Sequence, residues 1–310
     1  MNILITGLHG FVGSNLLIAL KDNHSIYGLD IIAPLKDGVI ETFTWEKLSN
    51  KGLPNFDTII HLAGKAHDTK NQSEAKAYFD VNTGLTQKIY DWFLKSTATK
   101  FIFFSSVKAA AEVVESEFLT EEVVPKPVGP YGESKIAAEN YILQNIHIGK
   151  EVYILRPCMI HGPGNKGNLN LLYSIVKKGI PWPLGAFENT RSFTSIDNLC
   201  FIIDGLISKT VESGIYNVAD DEALSTNNLI KVICETMRKK PKIWKVNRSF
   251  MKFIAQIGSF LHLPLNTDRL QKLTENYIVA NKKIKEALEV EKMPITATEG
   301  LKKTIKSFLS

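Results

Sequence analysis

In the first half of the chain, short unbroken apolar runs recur at residues 2–6, 26–30, 58–62, 101–104 and 152–155, and the stretches between them carry apolar residues at helical spacing. A run without polar alternation suits a strand covered on both faces, and strands that alternate with helices build βαβ units. The pattern predicts an α/β fold with a doubly wound parallel sheet, whose ligands bind beyond the carboxyl ends of the strands. Residues 73–95 and 131–144 are the longest helical stretches, amphipathic enough to face both the sheet and a partner subunit. Past Arg156-Pro157 the pattern loosens, with Gly162-Pro163-Gly164 and Pro181-Trp182-Pro183 marking loops. Residues 1–160 therefore read as a nucleotide-binding domain and 161–310 as a smaller, mainly substrate-binding region. Residues 192–203 read as a strand and helix that can rejoin the sheet, at about 190–210.

The first unit carries the most chemistry. Asn2-Ile3-Leu4-Ile5-Thr6 leads into Gly7-Leu8-His9-Gly10-Phe11-Val12-Gly13, then a helical stretch, then a second apolar run that ends on Asp30. Gly7 permits a tight turn off the strand, Gly10 lets the backbone approach a pyrophosphate, and Gly13 lets the helix pack close to the sheet. The helix N-terminus beyond them offers N–H groups and a positive dipole end to phosphates. This is the Rossmann arrangement for a dinucleotide, and Asp30 is placed to accept hydrogen bonds from the adenosine ribose. A carboxylate there repels a 2′-phosphate, and neither Ile31 nor Ile32 supplies a cation to hold one, so NAD is expected rather than NADP.

Two Tyr-x-x-x-Lys spacings occur, Tyr131/Lys135 and Tyr173/Lys177, and the spacing alone does not choose between them. Tyr131 follows Gly129-Pro130, which suits a helix start, and comes after an apolar run whose carboxyl end carries Ser105-Ser106. A carbinol that loses a hydride must also lose its hydroxyl proton, so the site needs a base that can later act as an acid. A tyrosine near its ordinary pKa of about 10 is too protonated for this, and a neighbouring lysine cation favours the phenolate. Tyr131 and Lys135 therefore read as catalytic, with Ser106 orienting the reacting oxygen, and Tyr173/Lys177 reads as a surface or lid helix.

Composition narrows the partners. The net charge of the 310 residues is +5, and the densest basic run, Arg238-Lys239-Lys240-Pro241-Lys242 with Trp244 nearby, reads as a solvated helix end rather than a nucleic-acid site. Residues 250–265 are apolar but interrupted and too short to span a bilayer. They suit a helix over a substrate cleft, the plainer reading, or one lying on a membrane surface behind Lys245 and Arg248, without insertion as a span. Cys158, Cys200 and Cys234 lie far apart among apolar neighbours, with neither a Cys-x-x-Cys pair nor a zinc spacing, so free thiols and no metal are expected. Together with a start that runs directly into a strand, this points to the cytoplasm.

Thr6 to Gly13, Asp30, His61-Leu62-Ala63-Gly64, Phe103-Phe104-Ser105-Ser106, Pro130-Tyr131-Gly132-Glu133-Ser134-Lys135, Leu155-Arg156-Pro157, Arg191-Ser192-Phe193 and Asp197-Asn198-Leu199 stand in one order and spacing. Over residues 1 to about 220 this set resembles the NAD-dependent nucleotide-sugar epimerase/dehydratase family, in the extended branch of the short-chain dehydrogenase/reductase superfamily. The resemblance implies NAD held by Gly7, Gly10, Phe11, Val12, Gly13, Asp30, Leu62, Ala63, Gly64, Asn82, Tyr131, Lys135 and Pro157. It implies Ser106, Tyr131 and Lys135 as the catalytic trio, Ser106 and Tyr131 also in contact with substrate, with Asn170, Arg191 and Arg269 as substrate-diphosphate ligands. It implies a homodimer. Three positions depart from the family pattern: Phe43-Thr44-Trp45 lacks an acid for adenine, Val107-Lys108 replaces the Asp-Glu of 4,6-dehydratases, and Ala109-Ala110-Ala111 replaces the Val-Tyr-Gly of many epimerases. The implied activity is 4-epimerisation of a UDP-hexose or UDP-N-acetylhexosamine through a 4-keto sugar. The alternatives are NAD(P)H-dependent reduction of a UDP-4-keto-6-deoxy sugar, or NAD sensing without turnover.

Overall fold

The structure is a computed structural model that describes residues 1–34, 36–49, 52–66, 74–165, 167–261 and 265–309. Seven strands form one parallel sheet: β1 (Asn2–Thr6), β2 (Ser25–Asp30), β3 (Glu41–Thr44), β4 (Thr58–His61), β5 (Lys100–Phe104), β6 (Glu151–Pro157) and β9 (Gly214–Val218). Their spatial order is β3-β2-β1-β4-β5-β6-β9, so the direction of winding reverses between β1 and β4. Beyond that reversal lies the crevice in which such sheets bind ligands.

The continuous apolar runs follow from burial on both faces. Ile3 and Ile5 of β1 point into one core with Leu16 and Leu17 of α1 (Phe11–Leu20), while Leu4 between them points into the other. The first core is closed by α7 (Ile196–Ser208) and α11 (Lys282–Leu288), which contribute Ile202, Leu206, Ile284 and Leu288. The second is closed by α3 (Leu85–Lys95) and α5 (Gly129–Gln144) through Ile89, Phe93, Ala138 and Ile142. A four-residue helix, α2 (Ala75–Tyr78), runs through a π-helical turn at Phe79–Gly84 into α3. Ser73, the expected start of this helical stretch, lies outside the described residues.

The strand that joins the sheet from beyond residue 160 is β9. The nearer β8 (Phe193–Ser195) pairs instead with β7 (Met159–His161) in a separate two-stranded parallel ribbon. A third core gathers α6 (Asn168–Lys177), α8 (Thr226–Thr236), α9 (Arg248–Phe260), α10 (Thr267–Thr274) and α12 (Ala297–Ser307). The helix around Tyr173, expected as a surface or lid helix, does expose Leu171, Ser174 and Lys177, but Tyr173 itself lies on its inner face. Tyr173 is buried in this third core and its hydroxyl donates to the Phe308 carbonyl at 3.2 Å, because Leu169, Tyr173 and Val176 fall on one helical face. Among the described residues no helix is long and apolar enough to cross a membrane, and no cluster of His, Cys, Asp and Glu is arranged to hold a metal.

Candidate active site

Three glycines set the floor of the crevice. Gly7 has a φ of +70°, and a Cβ there would stand 2.9 Å from the Ala63 nitrogen, so the turn and the chain after β4 touch through backbone alone. A Cβ on Gly13 would meet the Gly7 and Leu8 carbonyl oxygens at 2.6 Å. α1 begins at Gly10 without a side-chain cap, which leaves the N–H groups of its first turn facing the crevice mouth. The loop after β7 folds onto this turn: Asn15 Nδ2 donates to the Pro163 carbonyl at 3.1 Å, and Gly162 and Gly164 approach the Phe11 ring.

Asp30 ends β2 with its carboxylate fixed by two backbone amides, His9 N–H to Oδ2 at 3.2 Å and Ile31 N–H to Oδ1 at 2.8 Å. Sequence reading found no cation here, but Lys36 returns over α1 and its Nζ donates to Ser14 Oγ at 2.7 Å. Burial lowers the Lys36 pKa, and the Asp30 charge opposes that fall. The cation arrives through a loop, so no local spacing announced it. In place of an acid for adenine, β3 offers Thr42, whose Oγ1 is buried beside Gly28 and has no partner among the described residues; Phe43 and Trp45 are spent on the second core.

A buried chain of hydrogen bonds fixes the end of β4. Thr86 Oγ1 donates to the Asn82 carbonyl at 2.6 Å, so it accepts from His61 Nε2 at 2.9 Å, and His61 Nδ1 then accepts from Thr6 Oγ1 at 2.7 Å. Thr6 Oγ1 in turn accepts from the Ala63 N–H at 3.0 Å. Burial first, and the Lys135 charge second, push the His61 pKa down to about 3, so the ring stays neutral and the network stays intact. Asn82, projecting from the π-helical turn, clamps the next residues: its Oδ1 accepts from the Lys65 N–H at 2.7 Å, and its Nδ2 donates to the Lys65 carbonyl and to Ser134 Oγ. Leu62, Ala63 and Gly64 are thereby held against both α1 and α5.

Ser106 caps the short helix α4 (Val107–Ala110), accepting from the Lys108 N–H at 3.2 Å. α5 starts on Gly129, at a φ of +79°, with Pro130 in its first turn. At Gly132 it passes so near α4 that a Cβ would stand 2.6 Å from the Lys108 carbonyl. That approach sets the Tyr131 phenol beside Ser106, whose hydroxyl favours the phenolate. One helical turn on, Lys135 is buried with Nζ donating to the Phe104 carbonyl at 2.7 Å and lying 3.2 Å from where a Gly64 Cβ would be. Burial lowers the Lys135 pKa to about 8, with Glu139 opposing. Burial raises that of Tyr131, and the Ser106 hydroxyl pulls it back. Beneath them Glu139 takes a bidentate ion pair from Arg156 and a hydrogen bond from Ser105, all buried, and Pro157 closes β6 beside Arg156.

The remaining candidates lie on the other wall. Asn170, in the first turn of α6, donates through Nδ2 to the Asn165 carbonyl at 2.9 Å, and its buried Oδ1 has no partner among the described residues. Arg191 donates to the Lys272 carbonyl at 2.6 Å, lies 3.9 Å from Glu275 and sits over the Tyr277 ring. Arg269 is on α10, one turn before Lys272. Sequence reading missed the residues that join the two walls. Lys108 pairs with Glu112 and lies over Tyr277, Lys272 pairs with the same Glu112, and the Tyr277 hydroxyl donates to the Ala111 carbonyl at 2.7 Å. Apart from the Lys108–Glu112 pair, one helical turn long, these contacts join residues more than a hundred positions apart, and nothing local predicts them.

The glycine cradle, the uncapped helix start, Asp30 and the buried lysine beside Gly64 fit a nicotinamide dinucleotide laid across the sheet's point of reversal. The model of the NAD dependent epimerase/dehydratase family matches residues 3–219. UDP-glucose 4-epimerase of Vibrio cholerae is 31% identical over 324 residues, covering 99% of this chain and 95% of that protein. GDP-6-deoxy-D-talose 4-dehydrogenase of Aggregatibacter actinomycetemcomitans is 26% identical over 258 residues, covering 81% and 85%. Among solved structures, UDP-glucuronic acid 4-epimerase from Bacillus cereus in complex with NAD matches with a TM-score of 0.76 at 20% identity, over 100% of this chain and 99% of that one.

Proposed function

This chain belongs to the NAD-dependent epimerase/dehydratase family, with NAD as its cofactor, and we propose that it is a 4-epimerase of a UDP-hexose or UDP-N-acetylhexosamine. The observation that carries the proposal is the close approach of α5 to α4 at Gly132, which sets Tyr131 beside Ser106 one helical turn from the buried Lys135, at the carboxyl ends of β4 and β5. Bound NAD supplies the acceptor, and later the donor, of the hydride at the sugar C4. Tyr131 takes the O4 proton and returns it, Ser106 orients that oxygen, and Lys135 holds a positive charge beside the phenolate and a donor toward the nicotinamide ribose. Gly7, Gly10, Phe11, Val12 and Gly13 receive the pyrophosphate, Asp30 the adenosine ribose, and Leu62, Ala63, Gly64, Asn82 and Pro157 line the path between. Asn170, Arg191 and Arg269 hold the sugar diphosphate, for which a guanidinium fork is well shaped. On this reading residues 161–310, apart from α7, β9 and α11, serve mainly the substrate. The protein works in the cytoplasm as a homodimer through α3 and α5, without a transmembrane segment and without nucleic acid.

A second reading is a 4-keto reductase of a UDP-4-keto-6-deoxy sugar. It is favoured by Lys36, whose charge next to Asp30 offsets the repulsion of a 2′-phosphate, and by the resemblance to a GDP-6-deoxy-D-talose 4-dehydrogenase. The test is to purify the protein, identify its bound cofactor, and incubate it with UDP-glucose, UDP-N-acetylglucosamine and a UDP-4-keto-6-deoxy sugar, each with and without NADH or NADPH. Epimerised product without added reductant is expected. Product only with reductant establishes the second reading, and bound NAD with no turnover refutes both in favour of a sensor.

A further inference from the structure

Between Thr236 and Thr267 the chain carries seven cations, from Arg238 to Lys252, and no Asp or Glu. The structure exposes all seven, and among the described residues none lies within ion-pair distance of a carboxylate. Lys239, Lys242 and Arg248 instead donate to backbone carbonyls of Lys177, Gly179 and Ala186. Their positive charge is therefore left for something outside the molecule.

The same segment ends in α9, which has three faces. Met251, Ala255 and Gly258 pack inward on the third core, so tightly that a Cβ on Gly258 would overlap the Leu265 carbonyl. Arg248, Lys252 and Gln256 form a polar flank. Phe250, Phe253, Ile257 and Phe260 recur at three- and four-residue spacing and point to solvent, Phe253 56% and Phe260 83% exposed. Trp244, 58% exposed, precedes them. A contiguous stripe of aromatic side chains is a costly surface in water and marks an interaction site.

We propose that α9 and the basic run before it form a docking surface for an anionic lipid bilayer. The aromatic stripe enters the headgroup boundary while the cations beside it meet lipid phosphates, the division of labour of an interfacial amphipathic helix. A second copy of the chain is a poor occupant, since a two-fold contact through this face would bring like charges together. A nearby cavity of about 300 Å³ points the same way. Its wall includes Ile180, Trp182 and Ile230, with Lys239, Lys240 and Lys242 around it, and the buried Trp182 Nε1 has no partner among the described residues. Bridges from Trp182 to Ile243 and from Leu184 to Lys245 carry the chain from this cavity to α9. The cavity combines a donor, cations and an apolar wall, as a lipid headgroup and its first methylenes require.

The test is co-sedimentation of the full chain with vesicles of phosphatidylcholine alone and of phosphatidylcholine mixed with phosphatidylglycerol. Binding to the mixed vesicles is expected, weakening as salt shortens the screening length from about 10 Å at 0.1 M to about 3 Å at 1 M. The double variant Phe253→Ser/Phe260→Ser should lose at least about tenfold in binding. Lys239→Gln and Lys240→Gln should each lose about fivefold. All three should keep the wild-type unfolding midpoint and turnover, because these side chains are exposed and outside the catalytic crevice. A wild-type chain that stays in solution with mixed vesicles at low salt overturns the proposal. So does full binding by the double phenylalanine variant, or sedimentation analysis that finds a wild-type dimer abolished by that variant.

Discussion

Tyr131–Lys135 on α5 and Tyr173–Lys177 on α6 share one spacing and both stand on regular helices, yet they differ in what surrounds them. At the first pair Gly132 lets α5 close on α4, which delivers the phenol to Ser106 and sinks the lysine beneath it. At the second, the phenol donates to the Phe308 carbonyl, its ring packs edge-on against Phe308, and Lys177 rides over it. The spacing places two side chains on one face. Whether they do chemistry or hold a core together depends on what that face meets.

The two pairs should differ most in turnover. Tyr131→Phe removes the proton carrier and should lower kcat by about 10²–10⁴-fold with an unchanged unfolding midpoint. Tyr173→Phe should leave kcat at the wild-type value. Equal losses of kcat in both variants would show that the surroundings do not distinguish the pairs. Once a productive sugar nucleotide is known, steady-state kinetics with a thermal melt on each protein settles the matter.

At the first pair the lysine also makes stability depend on pH. Burial holds Lys135 near pKa 8 against an unfolded value of 10.5. Between those values the unfolded chain binds the extra proton, so stability rises with pH across that window, by up to about 1.4 kcal/mol per unit. Below pH 8 both states are protonated and the full cost of the buried charge is present. Denaturant unfolding from pH 8 to 10.5 should show this slope in the wild type and a flatter one in Lys135→Met.

The sheet end that holds Tyr131 was legible because its signals are local. Strands buried on both faces leave unbroken apolar runs, and Gly10 and Gly13 answer contacts made within the first turn itself, while Gly7 takes a positive φ there and meets the distant Ala63. β3 escaped the run criterion because Glu41–Thr44 mixes exposed and buried positions on a sheet edge. A strand and helix able to rejoin the sheet were expected at about 190–210, and the helix, α7, does pack on the sheet core. Residues 193–195 are indeed a strand, but a three-residue run cannot announce whether it pairs with β7 or with β6. Tyr173 was misplaced on the surface because the third core that buries it is assembled from α8, α9, α10 and α12, elements with no pattern tying them to α6. Lys36 at Asp30, and Glu112, Lys272 and Tyr277 around Arg191, are tertiary coincidences of the same kind.

Arg191 lies between the two regions, bonded to α10 on one side and, through Lys272 and Glu112, to the helix that Ser106 caps. Its present partners are a carbonyl and a carboxylate 3.9 Å away, which leaves donor capacity on the guanidinium for a diphosphate. Arg191→Ala should raise KM about tenfold with a smaller change in kcat, the signature of binding shared by ground and transition states. An unchanged KM would make the residue purely structural and move diphosphate recognition to Asn170 and Arg269.

The smallest effect is the one left to Tyr173. Replacing it with Phe keeps the ring against Phe308 and removes only the hydroxyl that donates to the Phe308 carbonyl. A neutral hydrogen bond of this kind contributes about 1 kcal/mol, and the bond length of 3.2 Å is on the long side. Tyr173→Phe should therefore unfold with a free energy lower by about 1 kcal/mol or less and an unchanged denaturant slope. Tyr173→Ala, which also empties the ring's place in the third core, should cost about 3–5 kcal/mol. If the Phe variant cost as much as the Ala variant, the hydroxyl rather than the ring would be fixing the end of α12 to α6. The pair on α6 would then owe its place to hydrogen bonding, as the pair on α5 does, and the contrast between them would narrow to the presence of Ser106.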